Sequence, residues 1–153
     1  MNSEISDSAA IVLLDSAKQE AERLWREITS LADEVDDYTR SARGALTRAI
    51  KAREKVPFDE DVKEWFQKIS DSIGKIYTIK EKINEERHKA ETVWQAVGRS
   101  TETDHVKDLE KNMLKGQTVA RSFHSEAKRI RSRVLNLENW LQSEVLAILD
   151  VLE

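Results

Sequence analysis

Two residue pairs in this sequence have the spacing of a metal-binding motif: Glu85 with His88, and Glu102 with His105. A Glu-x-x-His pair puts a carboxylate and an imidazole about one helical turn apart. Carboxylate-bridged di-iron bundles use two such pairs plus two further inward-facing glutamates. The surrounding pattern argues against that use here. His88 comes two positions before Ala90, the nearest apolar residue of its stripe, so it belongs on the outer face of a helix. Glu102 falls in a predicted turn. With 35% of the chain charged, such matches arise from composition alone, and neither a metal nor a cofactor is expected.

A second candidate is the basic run Lys128-Arg129-Ile130-Arg131-Ser132-Arg133. It could hold phosphate. The preferred reading is a solvated face paired with the acidic cluster Asp33, Glu34, Asp36 and Asp37, because the net charge is −4 and no helix-turn-helix spacing is visible. Nucleophilic catalysis has little to work with. The chain has no cysteine, no Gly-x-Ser-x-Gly and no glycine-rich phosphate loop. The expectation is that the protein is not an enzyme.

The elements that carry these residues are long helices. Proline occurs once and glycine four times, and the four tryptophans argue against disorder. Charged residues exceed the roughly 25% of an ordinary globular chain, as they do in long helices. Only two interruptions stand out. At Val56-Pro57-Phe58-Asp59 the proline disfavours helix before it, and Asp59 can cap the next helix. At Gly98–Asp104, Gly98 can supply a left-handed C-terminal cap, while Thr101 and Asp104 imitate a capping box.

Between the breaks, apolar residues recur every three or four positions. The first stripe runs unbroken from Ala10 through Leu24, Ile28, Val35 and Ala42 to Val56. The second runs from Val62 to Val97 and lacks an apolar residue at Glu86 and Arg87; the third runs from Val106 to Leu152. Heptads sustained over this length predict an all-α fold: three long antiparallel helices, about 6–55, 60–97 and 102–152, in an up-down-up coiled-coil bundle able to dimerise. Helices of 40 to 50 residues would be about 60–75 Å long and would make a narrow, single-domain rod spanning 1–153. Short breaks make consecutive helices antiparallel neighbours.

Size complementarity suggests a register. Ala42, Ala45, Ala49 and Ala52 would face Trp65, Phe66, Trp140 and Leu141, and Gly116 with Ala120 would sit near Trp25 and Trp94. Setting Ala10 beside Val106 also brings the acidic cluster level with the basic run. Within helices, Glu22–Arg26, Asp36–Arg40, Glu64–Lys68, Asp71–Lys75 and Glu85–Lys89 have the acid-first spacing that favours pairing.

A nearly balanced, slightly acidic chain gives no electrostatic reason to bind nucleic acid or anionic lipid, and no small-molecule substrate is indicated. The start Met1-Asn2-Ser3-Glu4 lacks the basic residues of a signal peptide, and the apolar run Ala9–Leu14 is too short to span a membrane. A cytoplasmic location is expected. The two ends are apolar around more of the helix than one stripe needs, which leaves Ile11, Val12, Leu146 and Leu149 as candidate partner-binding residues. The expected function is a non-enzymatic interaction or assembly module, an adaptor or structural bundle that binds another protein or itself. The alternative is an exported or membrane-acting helical protein, such as a secretion-system component or a pore-forming subunit.

Overall fold

Three helices account for nearly all of the chain in a computed structural model, which describes the backbone of residues 2–152 and the side chains of residues 9–152. They are α1 (Asn2–Lys55), α2 (Glu60–Arg99) and α3 (Thr103–Leu152), and they pack against one another as an all-α three-helix bundle with no strand among the described residues. The Met1–Glu4 start, as it bears on a signal peptide, lies outside the described side chains.

The first break forms as its residues dictate. Asp59 donates its N–H to the Val56 carbonyl at 3.2 Å, closing a turn with Pro57 at its second position, where the ring's fixed φ suits it. The Asp59 carboxylate then accepts the Val62 N–H at 2.9 Å and satisfies one of the orphan donors of α2. The second break differs from expectation. Gly98 does not adopt a positive φ. α2 continues to Arg99, and Ser100 N–H reaches the Val97 carbonyl at 3.2 Å in a tightened last turn. Among the described residues Thr101 and Asp104 form no capping box; the Glu102 carbonyl accepts the first α3 bond, from Val106 N–H, at 3.1 Å.

By contacts the chain divides into two compact units, each built from all three helices. The first takes 1–33 and 82–122. Its core holds Leu24 and Ile28 from α1, Ile83 and Val97 from α2, and Val106 and Met113 from α3. Trp25 and Trp94 stack flat on each other, 4.2 Å between centroids with 5° between planes. The place beside Gly116 is taken by Ile28 and Glu86 instead of these tryptophans: a Cβ there would lie 3.8 Å from Ile28 Cδ1 and 3.4 Å from Glu86 Oε2.

The second unit takes 34–81 and 123–153. Its core holds Val35, Ala42, Ala45 and Ala49 from α1, Val56 just after it, Ile69 and Ile76 from α2, and Val134 and Leu141 from α3. Contacts pair rising numbers on α1 with falling numbers on α2 (Asp36 with Lys80, Arg53 with Phe66), so these two helices are antiparallel. Arg48 pairs with Glu138 and Glu34 with His124, each 90 residues on, so α1 and α3 run parallel, as an up-down-up order requires.

The buried stripe departs from strict heptads. Leu31 and Tyr38 are only half-buried, whereas the next residues, Ala32 and Thr39, are buried. An α-helix turns every 3.6 residues, so a stripe repeating every 3.5 drifts around its axis. Thr39 tolerates burial because its hydroxyl donates to the Val35 carbonyl at 2.8 Å. The α3 stripe stays where it was expected, with Ile130, Val134, Leu137, Leu141 and Val145 buried, but the size-matching expectation for Trp140 is corrected: it flanks the stripe and is 58% exposed, while the charged Glu138 points inward. Trp65 and Phe66 are half-buried.

Charge pairing follows the observed register. Glu34 meets His124, Asp36 meets Lys80 of α2, and Asp37 meets Arg40. Of the expected intrahelical pairs, Glu22–Arg26 at 2.9 Å and Glu64–Lys68 at 3.8 Å form. Arg40 turns to Asp37 instead of Asp36, Lys89 to Glu86 instead of Glu85, and Asp71 accepts from Gln67.

Candidate interaction surfaces

Near the start of α1, Ile11 is 60% exposed, Val12 is 67% exposed, and Leu13 beside them is also exposed. Leu13 lines a hollow of about 500 Å³ in the first unit whose other walls include Glu20, Arg23 and Lys107. Near the end of α3, Leu146 is 63% exposed, with Val151 and Leu152 also exposed. Leu149 is a correction: it is half-buried. It stands four residues after the buried Val145, close to the same helical face, and Leu146 stands one residue after it, turned outward.

The Glu-x-x-His residues all lie on the surface. Glu85, His88, Glu102 and His105 are exposed. A carboxylate group that the spacing did not indicate comes together in the second unit, where Asp59, Asp61 and Glu144 bring ligand atoms within 4.8 Å of one another. Asp59 already serves there as the α2 cap.

Polar side chains tie α1 to α3 in both units. In the first, the Glu27 carboxylate accepts hydrogen bonds from Gln117 and from Arg121, the latter at 2.6 Å and 3.1 Å. Burial pushes the Glu27 carboxyl up, but the bonds from Arg121 and Gln117 and the charges of Arg121 and Arg23 outweigh it and hold it below its ordinary 4.5. The hydrogen bond from Arg23 likewise lowers Glu20 and raises Arg23. In the second unit Arg48 grips Glu138 with Nε and Nη2, and this bond raises the arginine further. His124, flagged by no sequence motif, sits between Glu34 and the Tyr38 hydroxyl, 3.4 Å from the latter. Arg131 lies 4.9 Å over the Tyr38 ring.

The basic run is thereby split. Arg131 turns toward α1, Ile130 is buried, and Arg129 with Arg133 faces a groove between α2 and α3. The expected pairing of this run with the acidic cluster does not form for Arg129 or Arg133: among the described residues neither has an ion-pair partner within 4.0 Å. Sequence spacing did contain the signal, since Arg129, Arg133 and Trp140 recur on one helical face; what it lacked was the orientation of that face. A smaller cavity of about 230 Å³ opens in the first unit between Ile28, Glu86, Ala90, Met113 and Gly116, where the apolar stripe of α2 lapses.

No described helix is long and apolar enough to cross a membrane. Comparison with protein-family models, with curated proteins and with solved structures finds no match to this chain.

Proposed function

We propose that this protein is a non-enzymatic interaction or assembly module that binds another protein, or a second copy of itself, through helical faces and apolar ends. The observation that carries the reading is the exposure of large aliphatic side chains, Ile11, Val12 and Leu13 on α1 and Leu146, Val151 and Leu152 on α3. Clustered exposed apolar surface of this kind marks contact sites, whereas single exposed apolar residues are ordinary. The reading includes a cytoplasmic site of action, which cell fractionation tests.

The experiment is affinity capture of the tagged chain from native lysate at low and moderate salt, with light scattering of the purified protein. The double substitution Ile11→Asp with Val12→Asp, and Leu146→Asp alone, are carried in parallel. A stoichiometric partner or a defined oligomer, lost in either variant while helicity is retained, supports the proposal. Unchanged partner and mass in both variants remove these ends as the interface. The same exposed ends favour a second reading, a membrane-acting protein, and vesicle flotation separates the two. Absence of co-flotation with neutral and anionic vesicles eliminates the membrane reading.

A further inference from the structure

The α2/α3 groove of the second unit has a charge opposite to that of the chain. From α2 it is lined by Lys68 and Lys75, one on either side of Ser72, and from α3 by Arg129, Arg133 and Trp140. Two hollows, about 510 Å³ and 280 Å³, lie side by side along it, with Arg129 and Arg133 lining both. Four cations face it against one carboxylate, Glu126, in a chain whose net charge is −4. Lys68 is the only one of the four with an ion pair among the described residues, at 3.8 Å to Glu64.

Apolar material lies at one end of the groove. Leu137 forms part of its floor, and Trp140 stands at its margin with more than half its surface in solvent. Tryptophan and arginine are the residues most often found to dominate binding energy at interfaces, where water is excluded around them. From Arg129 to Trp140 the groove follows α3 for three turns, about 16 Å at ~1.5 Å per residue.

We propose that this groove docks an acidic amphipathic helix of a partner protein, about three turns long, with an apolar residue against Trp140 and Leu137 and carboxylates toward Arg133 and Arg129. This rests on the reading of the protein as an interaction module and specifies the surface and the partner's chemistry. Helix-in-groove recognition uses anchors at i, i+3, i+4 and i+7, the spacing at which the groove presents its own side chains. Opposite charge steers the encounter and fixes the direction of the docked helix. A nucleic acid extending beyond the groove would meet an acidic chain, which disfavours it as the occupant.

The test is phage display of random 16-residue peptides on the full-length chain, with the Arg129→Glu/Arg133→Glu variant for counter-selection. Selected peptides are then measured by fluorescence anisotropy. The expected result is enrichment of Asp and Glu together with apolar residues at three- and four-residue spacing. Binding should weaken at least about tenfold in the charge-reversed variant and in Trp140→Ala, the usual effect of removing a dominant contact, with helicity unchanged in both. Absence of enrichment, or peptides without acidic bias, overturns the proposal. So does binding of single-stranded DNA or phosphatidylserine vesicles that the charge reversal abolishes while no peptide is selected. If the groove fails here but the apolar-end variants still lose their partner, the interaction-module reading stands without this surface.

Discussion

Arg48 and Glu138 form a pair whose two halves should respond very differently to removal. The Glu138 side chain is 8% exposed and the Arg48 side chain 55% exposed, so the acid is committed to the bundle and the base is only half committed. Replacing Arg48 with Met keeps the aliphatic stem but strips a buried carboxylate of two charge-assisted hydrogen bonds. Such bonds contribute about 1.5–3 kcal/mol, and solvent around the guanidinium moves the estimate toward the lower half, about 2 kcal/mol. Replacing Glu138 with Met removes the buried charge itself, fills similar volume and leaves Arg48 free to hydrate. The expected cost is within about 1 kcal/mol of zero, of either sign. The double variant should match Glu138→Met, which gives a coupling of about 2 kcal/mol. The assay is urea unfolding followed by far-ultraviolet circular dichroism, with an unchanged denaturant slope confirming comparable folded and unfolded states. If Glu138→Met costs as much as Arg48→Met, or if the two effects simply add, the argument from burial is wrong.

Three further outcomes follow from named residues. Because the Glu27 carboxyl is held below its ordinary 4.5, its ties to Gln117 and Arg121 stabilise the fold above that pH and are lost as pH falls through the lowered value. The stability gap between wild type and Glu27→Gln, measured by urea unfolding across pH, should therefore shrink on acidification; a gap constant down to the lowest pH would refute the assignment. Gly74 is exposed in mid-helix with open space where a Cβ would go, so Gly74→Ala should stabilise by about 0.5–1 kcal/mol from backbone propensity alone. Gly116→Ala should gain at least as much, since its methyl would make ordinary contact with Ile28 and Glu86 in a cavity; a loss of thermal stability there would show that Glu86 cannot accommodate it.

Both surfaces proposed for binding depend on which way a side chain points. Ile11, Val12 and Leu146 were legible as exposed because their runs hold more apolar residues than one buried stripe can use. The groove of Lys75, Arg129, Arg133 and Trp140 was not. The basic run could be located, but its sorting between Tyr38 of α1 and the α2 groove follows from the packing of three helices at once. The His124 cluster was hidden for the same reason, because its members are distant in sequence and no short spacing joins them.

The sequence alone determined the number of helices, their limits to within a few residues and most of the buried stripe. These are local properties: proline and capping at Pro57–Asp59, and the recurrence of apolar side chains within a turn or two along one chain. Only the tertiary structure decided the rotation of each helix about its axis. One residue is about 100° of rotation, so the two flanks of one stripe fare differently: beside the buried Leu137 and Leu141, Glu138 turns inward to Arg48 and Trp140 outward, while Arg129 and Arg133 line the α2/α3 groove instead of meeting the acidic cluster. Periodicity measures spacing along a helix. It is the neighbouring helices that set its absolute orientation, and the charged and aromatic residues beside the stripe are the ones that orientation moves.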